Sequence, residues 1–162
     1  EGTYALPEAQ LDRFLFKINV GYPNLDEEIL IINSHNDRKG ALPEAVINAV
    51  LTQDDLISYR SKVHEVLVEK KIIKYIAEII LNTRSHPHLY LGGSPRASIA
   101  VLMASKAYAA INGRDFVIPE DIKKSLFPVL RHRVILTPER EMEGYTTDKV
   151  IEMIIQTVEV PR

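Results

Sequence analysis

The 162-residue sequence has no cysteine, so it can form neither a disulfide nor a thiolate metal site, a composition that fits a reducing compartment. It also lacks any long apolar run. Stretches such as Tyr75 to Leu81 are far too short to span a bilayer, and Glu1 opens no charged-then-apolar signal segment, so no membrane insertion is expected. Neither sign of charge dominates: 20 basic and 22 acidic residues leave a formal net charge of -2 without long runs, which argues against a nucleic-acid surface built on a strongly basic face. No G-x-x-x-x-G-K-S/T is present, and Gly92-Gly93 is too short to wrap a nucleotide's phosphates as such a loop does. No fixed-period repeat and no low-complexity tract appears. With 46% hydrophobic residues, the chain can bury an ordinary core, and its length fits one domain or one domain with part of another.

The densest signal is Leu91-Gly92-Gly93-Ser94-Pro95-Arg96-Ala97. Ser94 can cap a helix and Pro95 suits its first position. The series Ile99, Leu102, Met103, Ala107 and Ala110 then runs at helical spacing to a stop at Asn112-Gly113. Arg96 opposes this pattern, because a cation in the first turn meets the partial positive charge of the helix N-terminus at a cost of roughly 0.3 to 1 kcal/mol. Two readings are open. An anion bound there would meet free backbone N-H groups and a guanidinium fork suited to phosphate oxygens, or Arg96 folds back onto a carboxylate or carbonyl of its own chain.

Leu6 to Arg13 reads as a short helix with Pro7 at its start, Glu8 in the first turn and Arg13 at the dipole-favoured end. Phe14, Phe16, Ile18 and Val20 alternate with Leu15, Lys17 and Asn19 up to Gly21-Tyr22-Pro23, the pattern of a strand. One strand cannot stand alone, and its partners are expected before Glu1. Asn24 or Asp26 caps a predicted helix through Ser34 with Ile29, Leu30 and Ile32 inward. Asn36 to Gly40 reads as a polar loop, and Leu42 to Val50 is ambiguous. Helices are then predicted at about 54 to 67, 71 to 84, 95 to 112, 119 to 127 and 147 to 157, with start devices at Asp54, at Pro119 with Glu120-Asp121, and at Thr146-Thr147-Asp148. Pro128 should break or kink the fourth, and Val134-Ile135-Leu136 is a candidate extended piece.

His86-Pro87-His88 lacks the further ligands of a metal site and reads as a solvated loop. His35, His64 and His132 have no nucleophilic partner at a recognisable spacing. Glu120-Asp121 is better explained as first-turn charge than as a catalytic pair. Arg131-His132-Arg133 either neutralises carbonyls at the preceding helix end, the favoured reading, or faces an acidic neighbour or phosphate.

These motifs together resemble a known family. Glu1-Gly2-Thr3-Tyr4-Ala5-Leu6-Pro7-Glu8-Ala9-Gln10-Leu11-Asp12-Arg13-Phe14 with Gly21-Tyr22-Pro23 is similar to the segment after sensor 1 in the MoxR branch of the AAA+ ATPases. Thr83-Arg84-Ser85-His86-Pro87, Leu91 to Ala97, Gly113-Arg114-Asp115-Phe116-Val117 with Pro119-Glu120-Asp121, and Val129-Leu130-Arg131-His132-Arg133 resemble that family's helical lid. The resemblance implies a mainly α fold: a helical bundle lid at 51-162, preceded at 1-50 by a linker and a remnant of an α/β core, the remnant being a short helix and one strand. It implies a nucleotide-dependent, chaperone-like remodelling ATPase that uses ATP and Mg2+ and forms a homo-oligomeric ring, usually a hexamer. The setting is cytoplasmic, and von Willebrand A-domain proteins are expected partners. Arg96, beside Ser94 and Pro95, resembles the sensor-2 arginine that reaches its own subunit's nucleotide. Arg13 resembles the arginine finger that reaches the next subunit's γ-phosphate. Walker A, Walker B and sensor 1 would lie before Glu1, so the chain is expected to be a C-terminal piece, inactive alone. The alternatives are a helical interaction module without catalysis and, less favoured by the charge balance, a helical DNA-binding domain.

Overall fold

Side-chain caps read in the sequence start some of the helices and proline starts others. In the computed structural model, which describes residues 6–40 and 47–161, the helices are α1 (Glu8–Leu11), α2 (Leu25–Asp37), α3 (Gln53–Glu65), α4 (Lys70–Ser85), α5 (Pro95–Ile111), α6 (Pro119–Leu130), α7 (Pro138–Met142) and α8 (Thr147–Thr157). Two short strands, β1 (Leu89–Leu91) and β2 (Ile135–Leu136), pair antiparallel with Leu89 opposite Leu136 and Leu91 opposite Ile135. Asn24 and Glu27 form a reciprocal capping box at 2.9 and 3.0 Å, which starts α2. Thr52 and Asp55 do the same for α3, so the starting device is this pair and not Asp54. The Thr146 hydroxyl accepts the Lys149 N-H at 3.2 Å and starts α8. The expected loop at Glu1 to Tyr4 and much of the ambiguous stretch from Leu42 lie outside the described residues.

The described residues form two compact units, one running up to Lys17 and resuming at Tyr59, the other Ile18–Ser58. In the second, α2 buries no residue. Ile29, Leu30 and Ile32, expected to point inward, are 46%, 66% and 61% exposed, so α2 stands on its caps and not on packing.

The first unit holds the core. Tyr75, Ile79 and Ile80 of α4, Val101 of α5, Leu126 and Leu130 of α6, and Ile151 and Ile154 of α8 are fully buried. Each such aliphatic side chain contributes about 1.5–3 kcal/mol by leaving water. The buried face of α5 is Ala97, Ala100, Val101, Ala104, Ser105 and Ala109, not the series that includes Ile99, which is 62% exposed. Small side chains let α5 approach α6 closely. Ser105 and Ser125, both buried, meet there with hydroxyls 3.1 Å apart, and each also donates to or shares a carbonyl of its own helix. Pro128 does not end α6. The helix continues to Leu130, because Val129 and Leu130 are completely buried and packing outweighs the hydrogen bond that proline removes. Asp121 at the start of α6 is 1% exposed and gripped by both ends of the Arg114 guanidinium at 2.6 and 2.7 Å. Burial would raise its pKa, but Arg114 and the Ile118 N-H hold it below the usual carboxylate range. Glu120-Asp121 is thus half structural ion pair and half first-turn charge.

The predicted strand from Phe14 to Val20 does not form: it has no ladder partner among the described residues, and Phe14, Phe16, Ile18 and Val20 are all exposed. The mainly α class and the short helix before this segment are as expected.

Gly92-Gly93 brings the α5 start against the end of α4. Gly93 N-H donates to the buried Thr83 hydroxyl at 2.8 Å, and Arg84 Nε donates to the Gly93 carbonyl at 2.8 Å. A Cβ on Gly92 would lie 2.6 Å from backbone atoms of Thr83 and Arg84, a contact that no side-chain rotation relieves. Gly92→Ala is therefore expected to destabilise the chain by about 1–3 kcal/mol, read as a lower urea midpoint with an unchanged slope.

Candidate functional site

The organising group of the site is Arg133, whose side chain is 2% exposed. A guanidinium has five N-H donors, and here each finds an acceptor. Nε donates to Asp12 Oδ1 at 3.0 Å. One terminal nitrogen donates to the Leu15 and Val129 carbonyls at 3.0 and 2.6 Å, and the other to the Asp12 and Phe14 carbonyls at 3.1 and 2.6 Å. Burial lowers the pKa of Arg133 and Asp12 opposes that shift, while Arg96 adds a little repulsion. His132 donates to the Phe14 carbonyl through Nε2 at 2.8 Å, and the Lys17 N-H reaches the Pro128 carbonyl at 2.8 Å. The segment from Asp12 to Lys17 is thereby tied to the C-terminal end of α6.

Asp12 connects this clamp to the start of α5. Its two carboxylate oxygens accept the Ser94 hydroxyl at 3.0 and 3.1 Å, and Arg96 lies 3.7 Å from Oδ2. Ser94 occupies the N-cap position, but its side chain caps no backbone N-H because the hydroxyl is turned to Asp12. The first turn of α5 thus meets an anion, as its dipole favours, supplied by the chain itself. The Arg96 contact is weak. At 54% side-chain exposure and 3.7 Å it is worth at most about 1 kcal/mol, and salt reduces it further. Arg96 can leave Asp12 cheaply, whereas Arg133 cannot. A cleft of about 250 Å3 borders the cluster, lined by Asp12, Ser94, His132 and Arg133 together with Leu91 and Ile135 among others.

Arg13 is exposed, and among the described residues its guanidinium has no hydrogen-bond or ion-pair partner. The structure therefore brings Ser94, Pro95 and Arg96 to the cluster and leaves Arg13 facing solvent beside it. Sequence reasoning missed Asp12 and singled out Arg133 only within its tripeptide. The three members of that tripeptide separate in role. Arg131 takes Asp148 in a bidentate pair at 2.7 and 2.8 Å, His132 holds one carbonyl, and Arg133 takes four carbonyls and a carboxylate. Carbonyl neutralisation at the helix end is real, through Val129, but it is one bond of five. Among the described residues no group of three or more His, Cys, Asp or Glu side chains is placed to hold a metal ion, and His88 Nδ1 accepts from Arg140 at 3.0 Å.

Residues 81–154 match the family described as AAA lid domain. The chain is 42% identical over 99% of its length to the uncharacterized protein YeaC of Bacillus subtilis, and 37% identical over its whole length to the chaperone MoxR1 of Mycobacterium tuberculosis. It spans 49% and 44% of those proteins, about half the length of the curated relatives it matches. A solved structure from Cytophaga hutchinsonii, provisionally described as an ATPase, superposes with a TM-score of 0.89 at 33% identity, covering 100% of this chain and 51% of that one. Residues 81–154 thus match an AAA lid domain, and over its whole length the chain is similar to about half of the chaperone MoxR1.

His132 supplies a test of the clamp. Burial lowers its pKa, the Phe14 carbonyl opposes this, and Arg133 and Lys17 lower it further, with Asp12 opposing. Its Nδ1 is buried without a partner, so the neutral ring donating from Nε2 suits the site. A depressed native pKa means that the folded chain binds fewer protons than the unfolded chain just below about pH 6.5, the ordinary histidine value. His132 therefore costs stability as pH falls from about 7 to about 5. His132→Gln keeps an N-H donor and cannot titrate. Its melting temperature is expected to fall less than that of the parent chain over this range; equal falls would contradict the assignment.

Proposed function

We propose that the chain is the C-terminal part of a MoxR-type AAA+ ATPase, with residues 1–50 closing the ATPase core and forming the linker, and 51–162 forming the lid. In this reading the Walker motifs lie in a preceding segment and the piece alone does not hydrolyse ATP. In the complete protein Arg96, seated with Ser94 and Pro95, reaches the Mg-ATP phosphates of its own subunit. Arg13 reaches the γ-phosphate of the next subunit in a homo-oligomeric ring, a hexamer by family habit. Hydrolysis drives chaperone-like remodelling of partner proteins, von Willebrand A-domain proteins among them, in the cytoplasm.

The observation that carries the proposal is the contrast between the two kinds of arginine. Arg114, Arg131 and Arg133 are locked into short carboxylate pairs, whereas Arg13 is unpaired among the described residues and Arg96 has one long, half-solvated contact. Phosphoryl transfer spreads charge over the equatorial oxygens of the transition state, and a guanidinium that is free to meet them is worth roughly 10³–10⁵ in rate. A shared site of this kind closes naturally in a head-to-tail ring. The interaction-module reading draws support from the exposed Ile29, Leu30 and Ile32 of α2, yet it gives no role to an arginine held against a helix dipole.

Arg13→Ala and Arg96→Ala in the complete protein should each lower ATP turnover by about 10³-fold or more while the melting temperature stays within a few degrees of the parent. Wild-type turnover in both variants would refute the assignment.

A further inference from the structure

The proposed finger residue has no side-chain anchor, so something else must fix where it points. The backbone supplies it. The carbonyls of Asp12 and Phe14, immediately before and after Arg13, are both held by the same terminal nitrogen of Arg133, at 3.1 and 2.6 Å. Leu15 is held by the other terminal nitrogen, Phe14 again by His132, and Lys17 by Pro128. All of these holding groups belong to the end of α6 or the residues just after it. The same guanidinium grips the Asp12 carboxylate, which in turn holds Ser94 at the start of α5.

We infer that Arg133 is a positioning residue for Arg13: it clamps the main chain on either side of Arg13 to the lid, so that Arg13 and Arg96 move as one piece. This rests on the assignment of Arg13 and Arg96 given above and adds a consequence that assignment does not contain. A lid that shifts when its own nucleotide changes carries Arg13 with it, and the neighbouring site feels the shift. Coupling between adjacent sites then runs through a short covalent and hydrogen-bonded path: Arg96, Ser94, Asp12, Arg133, and the peptide units flanking Arg13. The burial of Arg133 excludes a direct role at the phosphate, since all five of its donors are engaged within the chain.

The test uses the complete protein and mixed rings. Arg133→Lys keeps a buried positive charge for Asp12, but a single ammonium cannot span four carbonyls and a carboxylate. Its turnover should fall about 10²-fold, the penalty of a finger displaced by about 1 Å, with KM for ATP nearly unchanged. Rings that mix Arg133→Lys with Arg96→Ala protomers should regain turnover, because the second supplies an intact Arg13 to the site of the first. Rings that mix Arg133→Lys with Arg13→Ala should not. Wild-type turnover in Arg133→Lys, or rescue by Arg13→Ala and not by Arg96→Ala, would overturn the inference.

Should Arg133→Lys fail to fold, His132→Leu removes the second donor to the Phe14 carbonyl without adding or removing a buried charge. It should show the same rescue pattern with a smaller loss, and wild-type turnover in it would then overturn the inference. The control mixture of Arg13→Ala with Arg96→Ala separates the two claims. If that mixture recovers no turnover, the assignment of Arg13 to the neighbouring site is wrong and the clamp loses its purpose. If it recovers and the Arg133 and His132 variants behave as wild type, only the clamp is wrong.

Discussion

A buried guanidinium needs an acceptor for every N-H it carries, and Arg133 draws four of its five acceptors from residues 12 to 15. That requirement orders a segment which has little else to order it. Phe14 and Leu15 are 57% and 49% exposed, so apolar burial does not dock them, and α1 is a single turn with no buried residue. Removing one partner of a buried charge typically costs about 3–5 kcal/mol, several times the worth of the exposed contact between Arg96 and Asp12. The difference decides the architecture of the site. Asp12 binds Arg133 through one oxygen, meets Arg96 with the other, and shares both with the Ser94 hydroxyl.

The same arrangement resolves the conflict at the start of α5. A cation in a first turn is unfavourable when nothing negative is near, and here the Asp12 carboxylate lies against both Ser94 and Arg96. One of the two sequence readings of Arg96 is met: it turns to a carboxylate of its own chain, through a long and half-solvated contact. Ser94 shows the complementary compromise, giving up its capping bond to hold Asp12.

Local chemistry was legible in the sequence wherever one residue and its near neighbours decide the outcome. The capping box at Asn24 and Glu27, the start of α8 at Thr146, and the Pro95 and Pro119 starts all depend on contacts within four positions. The core face of α5 was not legible, because that helix is apolar nearly all round and the small residues that face α6 carry no periodic signature. Continuation of α6 through Pro128 was hidden for a related reason: the burial of Val129 and Leu130 is a property of the assembled body. Phe14 to Val20 alternates in sequence, but alternation without a ladder partner makes no strand. Asp12 and Arg133 are 121 positions apart, and nothing in either neighbourhood announces the pairing. The family resemblance pointed to Arg13 and Arg96, and the structure shows Asp12 in contact with Arg96 and with the buried Arg133.

The most direct test of this account is amide hydrogen exchange on the 162-residue chain, read at Phe14 and Lys17, whose N-H groups bond to the Leu11 and Pro128 carbonyls. If Arg133 docks the segment, these amides are protected in the parent chain, and in Arg133→Met they exchange at peptide-like rates while the amides of α4 and α5 stay protected. Rapid exchange at both positions in the parent chain, with Arg133 in place, would contradict it.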